Sequence, residues 1–214
     1  MIDLLCADIS QISELDYARL FEKASPQRQL RANRYRRWED KVRCVVADAL
    51  VRYAVNKSLG ISEFTVTQDD GGKPYIQGQT GFHFNLSHSG ELVVIAYGDC
   101  SVGVDVQQIN SDTIKIKKIC RLFACDEATY ILEAENQLQI QRFFQIWTGK
   151  ESYLKYLGTG LRKALNSFSV LTDATHPGVR FYTSFHDDYC ITLCAQAPAS
   201  DIAWINAQEL IEKL

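Results

Sequence analysis

The sequence predicts an α+β protein of two similar lobes, each a long helix packed on a small antiparallel sheet. Three observations predict it. Two long helical patterns, at residues 39–59 and 139–158, carry apolar residues at spacings of three and four. Each is followed by short stretches rich in β-branched and aromatic residues, divided by turn-forming glycines and aspartates. The length of 214 residues, 46% hydrophobic and 23% charged, is enough for one large domain or two small ones with a proper core.

The elements follow in order. Residues 2–7 read as a strand. A helix is expected from about Gln11 and another from Pro26, with Ser25 as N-cap and proline at the first helical position. In the helix at 39–59, Val42, Val46, Ala49, Leu50 and Tyr53 share one side and Gly60 ends it. Strands are expected at 64–68, 82–86, 92–97 and 102–106, with turns at Asp70-Gly71-Gly72 and Ser89-Gly90. The second half repeats this order: its helix precedes strands at 168–171, 179–185, 189–196 and 202–206, and a short helix begins at Ala207. Helix then antiparallel meander, twice, gives two lobes, 1–103 and 104–214, joined near 104–112. The halves share no evident residues, so the repeat is one of architecture.

Composition excludes several classes. A net charge of -3 argues against a surface built for nucleic acid. The N-terminus lacks a basic n-region and carries Asp3 and Asp8, unlike a signal peptide. The longest apolar run, 92–97, is far too short to span a bilayer. Seven cysteines without metal-type pairing read as reduced, mostly buried thiols of a cytoplasmic protein.

Glu151 is the residue that points to chemistry. An advance of roughly 100° per residue sets it in the stripe of Ile140, Phe143, Phe144, Trp147, Leu154 and Leu157, flanked by Lys150 and Lys155. A carboxylate on such a stripe costs several kcal/mol, roughly, unless cations or hydrogen bonds compensate. Two lysines and a metal would compensate it; so would a place at a cleft edge, or a single lysine partner with no further role. Asp105 and Gln107 share one face of a strand, opposite Val104 and Val106, and two such oxygens can ligate a hard cation such as Mg2+. On their own, a strand with one polar face explains them better. Asn85, Ser87 and His88 approach a strand end, where amide, hydroxyl and imidazole donors suit a phosphate. The turn Gly71-Gly72-Lys73-Pro74 presents a lysine, and Arg28, Arg31, Arg34, Arg36, Arg37, Lys41 and Arg43 form a basic helical stretch. An acid for metal and a lysine for phosphate, one turn apart at Glu151 and Lys155, fit phosphoryl-group chemistry.

Taken in order, these clusters resemble the 4'-phosphopantetheinyl transferase superfamily, in its large Sfp-type form. The resemblance rests on the Gly-Lys-Pro turn, Phe84-Asn85-Leu86-Ser87-His88-Ser89, Val102-Gly103-Val104-Asp105, and Trp147-Thr148-Gly149-Lys150-Glu151 with Lys155 and Gly158-x-Gly160. It extends to Ala47-Asp48-Ala49-Leu50-Val51-Arg52 and so spans most of the chain. It implies a pseudo-twofold pair of lobes in one chain, with the active site in the cleft between them. It also implies Mg2+-dependent transfer of the phosphopantetheine arm of coenzyme A to a serine of an acyl or peptidyl carrier protein, releasing adenosine 3',5'-bisphosphate.

The resemblance assigns roles residue by residue. Asp105 and Glu151 would hold Mg2+, and Glu151, or a water it orients, would take the serine proton. Lys155 would neutralise the departing phosphate oxygen, and Lys150 would meet the pyrophosphate. Arg43, Ser87 and His88 would hold the 3'-phosphate, Lys73 and Pro74 would line the adenine side, and Arg28 and Arg31 would offer further cations. Gln107 departs from the pattern: many relatives have glutamate there, so this chain would bind the metal with one carboxylate fewer. Carrier docking is expected on 114–123 through Lys115, Lys117, Lys118 and Arg121, unless this is an ordinary connecting helix. A monomer suffices, since both lobes lie in one chain. The alternatives are a non-catalytic relative that binds coenzyme A or a carrier protein, and a Mg2+-dependent nucleotide phosphohydrolase.

Overall fold

The computed structural model describes residues 1–109, 113–171 and 177–214. The first lobe begins with strand β1 (Ile2–Asp8) and helix α1 (Glu14–Lys23), which starts at a capping box between Ser13 and Asp16. Helix α2 (Pro26–Ala32) starts as expected, with Ser25 accepting from the Arg28 amide. Helix α3 (Trp38–Leu59) ends at Gly60, whose φ of 67° is the left-handed C-cap that favours glycine. A small hairpin, β2 (Val66–Gln68) and β3 (Pro74–Ile76), precedes β4 (His83–Ser89) and β5 (Leu92–Gly98). The second lobe contains β6 (Val102–Gln108), α4 (Thr113–Cys120), α5 (Cys125–Leu132), α6 (Asn136–Leu157), β7 (Arg180–His186) and β8 (Tyr189–Ala195). Strand β9 (Ala199–Trp204) and helix α7 (Ala207–Lys213) complete the described chain.

The two main sheets run β4-β5-β1-β9 and β6-β8-β7. Strand alternation sorts their side chains into layers. Leu5, Ala7, Val93, Ile95 and Tyr97 face α3. Ile2, Leu4, Cys6, Leu92, Val94 and Ala96 meet Val102, Val104, Val106, Ile191 and Leu193 in a core between the sheets. The other face of the second sheet packs on α6. The order is helix, sheet, sheet, helix, as the two-lobed reading requires.

Three expectations need correction. The last strand does not join the second meander: β9 pairs parallel with β1, and Ile205, Ala207 and Leu210 enter the first lobe's core. Hydrophobic alternation marks a strand but does not say which edge it will join, and the free edge of β1 receives it. The first sheet is therefore mixed, and the 103/104 division falls inside β6. Second, residues 168–171 form no strand, because side chains rather than a ladder take their backbone groups: Glu127 accepts from Val170 N and Lys150 donates to Phe168 O. Third, α5 and β3 were not expected. Of the junction at 104–112, residues 110–112 lie outside the described residues. No described helix is long and apolar enough to cross a membrane.

Candidate active site in the cleft between the lobes

Helix α6 lies unusually close to β6, and Gly103 permits it. A Cβ there would stand 2.0 Å from Ser152 O and 2.4 Å from Tyr156 N. Gly103, Asp105 and Gln107 point toward α6 while Val102, Val104 and Val106 fill the core, so the predicted polar face holds. The close approach brings Lys155 over Asp105, with Nζ 2.7 Å from Oδ1. Asp105 is 3% exposed and Lys155 28%, so the pair is inside the cleft with one cationic end open to it. Lys155 also donates to Ser87 Oγ at 2.9 Å and Val104 O at 3.0 Å. These charge-assisted bonds fix the ammonium on three acceptors.

Glu151 sits one turn before Lys155, half-buried, and its carboxylate makes no hydrogen bond or ion pair among the described residues. Burial pushes its pKa above the ordinary carboxylate value, and the charge of Asp105 adds to this, while Lys155 offsets part of it. A half-buried, unpartnered carboxylate beside a second carboxylate is poised to accept a proton or a cation. Gln107 turns its amide nitrogen to Asp105 Oδ2 at 3.1 Å, and its oxygen makes no hydrogen bond among the described residues. Two carboxylates and an amide oxygen form a hard-oxygen donor set. No group of three or more His, Cys, Asp or Glu side chains suited to a metal occurs among the described residues. Asp105, Glu151 and the Gln107 oxygen are of the hard-oxygen type that Mg2+ takes, with the remaining positions left to water and substrate.

The motif around Ser87 has a structural explanation that its sequence concealed. Strand β6 is an edge of its sheet, and its outer N–H groups need partners. Asn85 Oδ1 accepts from Val104 N at 2.9 Å, Ser87 Oγ from Val106 N at 3.3 Å, and Ser89 Oγ from Gln108 N at 2.9 Å. The alternate polar side chains of β4 thus form a ladder joining the two lobes. Ser87, which also donates to Asp105 Oδ1 at 2.9 Å, is buried and committed to this ladder rather than offered to a phosphate. His88, on the opposite face, is exposed. Although solvent reaches the residue, the protein around its ring desolvates it in part, and this, then the charges of Arg43 and Lys155, holds its pKa below the ordinary imidazole value.

Arg43, Lys155 and Arg31 lie near enough to His88 to act on its charge. Arg43 is anchored by Asp40 at 2.6 Å and donates to Gly90 O. Arg28 lies 3.4 Å from Asp48, a buried acid that also takes Ser25 N at 3.1 Å and Arg52 Nε at 3.0 Å. Arg31 is exposed and donates to Tyr35 OH at 3.3 Å. Asp48 was missed in the sequence, although an acid between Val46, Ala47 and Ala49 is the same signal that exposed Glu151. Pro74 and the stem of Lys73 line a cavity of about 440 Å³, with Tyr75, Phe82, Phe84 and Tyr156 among its walls. The Lys73 ammonium does not point into open space: it donates to Ser101 Oγ at 2.9 Å, Val102 O at 3.0 Å and Tyr156 O at 2.9 Å.

Lys150 is the clearest correction. Its side chain is fully buried on the far side of α6, with Nζ 2.6 Å from Glu127 Oε2, itself fully buried. It also donates to Leu165 O and Phe168 O, both at 2.7 Å, with the Phe168 ring centroid 4.1 Å away. The pair locks the segment after α6 onto α5, and Lys150 cannot meet a pyrophosphate in the cleft. Helical spacing had put both lysines beside Glu151, but α6 is enclosed on more than one side, so its polar positions do not share one surface. No local signal marked Glu127 as the partner. Lys117 and Lys118 on α4, and Arg121 just beyond its end, are exposed; the Lys115 side chain lies outside the described residues.

Comparison with known proteins shows the family. A profile of the 4'-phosphopantetheinyl transferase superfamily matches residues 101–204. A second, described as 4'-phosphopantetheinyl transferase, N-terminal, matches residues 11–99. The chain is similar to 4'-phosphopantetheinyl transferase Sfp of Bacillus subtilis strain 168, with 28% identity over 215 residues, 94% of this chain and 95% of that protein. It is also similar to a 4'-phosphopantetheinyl transferase of Bacillus subtilis, 31% identical over 84% of this chain and 85% of that protein. With 4'-phosphopantetheinyl transferase psf-1 of Bacillus pumilus it shares 30% identity over 89% of this chain and 84% of that protein.

Proposed function

Because the chain belongs to the 4'-phosphopantetheinyl transferase superfamily, we infer that it transfers the phosphopantetheine arm of coenzyme A to carrier proteins. The acceptor is a serine hydroxyl of an acyl or peptidyl carrier protein, and adenosine 3',5'-bisphosphate leaves. The observation that carries this reading is the unpartnered, half-buried Glu151 carboxylate beside the Lys155–Asp105 pair.

Glu151, directly or through a water, takes the proton from the serine as its oxygen attacks the β-phosphorus. Its raised pKa makes it a better base than an exposed glutamate, provided the operating pH keeps it ionised. Lys155 is held by three acceptors with its ammonium partly open, so it can neutralise the departing phosphate oxygen without reorganising. Asp105, Glu151 and the Gln107 oxygen would hold Mg2+, which when bound would neutralise the pyrophosphate. The absence of a third carboxylate weakens that hold.

His88, Arg43, Arg31 and Arg28 suit the 3'-phosphate, and a histidine kept neutral would donate one hydrogen bond there among cations that supply the charge. The aromatic walls beside Pro74 suit the adenine. Exposed Lys117 and Lys118 on α4, with Arg121 just after it, suit an acidic carrier helix. The protein acts in the cytoplasm as a monomer, since one chain supplies both walls of the cleft.

The test is stoichiometric. Incubation of an apo carrier protein with the enzyme, coenzyme A and Mg2+ should release one adenosine 3',5'-bisphosphate per carrier modified, resolved by anion-exchange chromatography. Release of the nucleotide without carrier, or of inorganic phosphate, would favour the phosphohydrolase instead.

A further inference from the structure

The turn that carries Lys73 is built more tightly than a solvated hairpin requires. Asp69 Oδ1 accepts from Gly71 N at 2.9 Å and Lys73 N at 2.8 Å, and Gly72 takes a φ of 86°. The turn touches the C-terminal end of α6 so closely that a Cβ on Gly71 would lie 1.9 Å from Gly158 O. Its lysine then reaches across to the second lobe. Tyr156 O is among the last four carbonyls of α6, which no intrahelical N–H can satisfy. It receives both Lys73 Nζ at 2.9 Å and Ser101 Oγ at 3.1 Å. A cation at this end also suits the helix dipole. The same ammonium holds Val102 O at the start of β6. One side chain of the first lobe thus ties together the two elements of the second lobe whose contact brings Lys155 onto Asp105.

We propose that the Asp69–Lys73 turn is an interlobe latch, and that Lys73 is a positioning residue: it sets the end of α6, and through it Glu151 and Lys155, against the cleft instead of contacting the phosphates of coenzyme A. Its kinetic consequence rests on the transferase reading, whereas its structural content does not. The latch explains why glycine is needed at 71: only a residue without Cβ lets the turn seat on Gly158. Among the described residues Lys73 has no carboxylate within ion-pairing distance, and its ammonium is held by two backbone carbonyls and a hydroxyl.

Lys73→Met and Gly71→Ala should reveal the latch by two readouts on the full chain. Amide hydrogen exchange of the protein without ligands should accelerate over 152–158 in both variants. Transfer should lose roughly tenfold to a hundredfold in kcat, the scale of a small misplacement of reacting groups, with KM for coenzyme A changed less than about threefold. The two losses should not add in the double variant, because both break one contact. Gly71→Ala is the sharper of the two, since it leaves the lysine in place. A rise in KM for coenzyme A upon Lys73→Met, with kcat and ligand-free exchange unchanged, would overturn the proposal in favour of direct phosphate contact. Unchanged exchange in a folded Gly71→Ala protein would also overturn it. Should either fail to fold, Ser101→Ala decides by the same exchange measurement, with a smaller acceleration expected. Faster exchange in a protein that transfers nothing to any carrier would uphold the latch and count against the transferase reading alone.

Discussion

Removing one member of the Lys150–Glu127 pair should cost far more than removing both. Each side chain is fully buried, and burial pushes the carboxyl up and the ammonium down while their contact opposes both shifts. Glu127→Gln keeps an oxygen for Val170 N or Ala124 N but leaves the Lys150 ammonium with only the carbonyls of Leu165 and Phe168. An uncompensated buried charge costs about 3–5 kcal/mol. At about 2–4 °C per kcal/mol for a chain of this size, Tm should fall by about 6–20 °C. Lys150→Met leaves the carboxylate with two backbone N–H donors, so its loss should fall toward the lower end of that range. The double variant Lys150→Met/Glu127→Gln removes both charges and should be clearly more stable than Glu127→Gln alone. Urea denaturation and calorimetry of the four proteins close the cycle. Losses that add to within about 0.5 kcal/mol, or a Glu127→Gln loss below 1 kcal/mol, would refute the buried-pair reasoning. Well below Tm the KM for coenzyme A should hold steady, since neither residue reaches the cleft.

The remaining predictions concern the cleft. Glu151→Gln should abolish transfer yet raise Tm of the metal-free protein at pH 7: a folded pKa above the unfolded value means that stability is lost as pH rises past the unfolded pKa. The gain should vanish below the ordinary carboxylate range, and a Tm equal to or below wild type at pH 7 would contradict it. Gln107→Glu should lower the Mg2+ concentration for half-maximal activity, since a full charge about 4 Å from the ion adds roughly 4 kcal/mol of gross attraction per unit of cation charge at an effective dielectric near 20; an unchanged titration would argue against Gln107 as a ligand. Lys73 has its pKa lowered to about 8, by burial first and with Asp69 and Cys194 opposing. The unfolded chain therefore binds more protons between about pH 8 and the ordinary lysine range, and wild-type stability relative to Lys73→Met should increase across that window, as denaturation at pH 7.5 and 9.5 would show. Lys117→Glu/Lys118→Glu should raise the KM for an acidic carrier protein while leaving that for coenzyme A alone; unchanged carrier kinetics would remove α4 from the docking surface.

Much of this architecture was legible because two physical rules act locally. Helical periodicity gave α3 and α6 nearly to their ends, and proline, serine and glycine marked the caps at Ser25 and Gly60. The same rules singled out Glu151, Lys155 and the polar face of Asp105 and Gln107. What they could not supply was the partner of each group. Lys150 and Lys155 look alike beside Glu151, yet one is locked to Glu127 and the other reaches the cleft. Ser87 has the chemistry of a phosphate ligand, but β6 presents an unpaired edge that claims it. Nothing along β9 says that its partner is β1, nearly two hundred residues earlier, rather than a neighbour in its own meander. Periodicity specifies which face is buried; only the assembled fold specifies what buries it.

The most direct test of the central claim is intact-protein mass spectrometry of an apo carrier protein incubated with coenzyme A, Mg2+ and either the wild-type chain or Glu151→Gln. A gain of one phosphopantetheine with the wild type, lost with Glu151→Gln and lost without metal, is the predicted result. An unmodified carrier across both acyl and peptidyl types, or full modification by Glu151→Gln, would contradict the account.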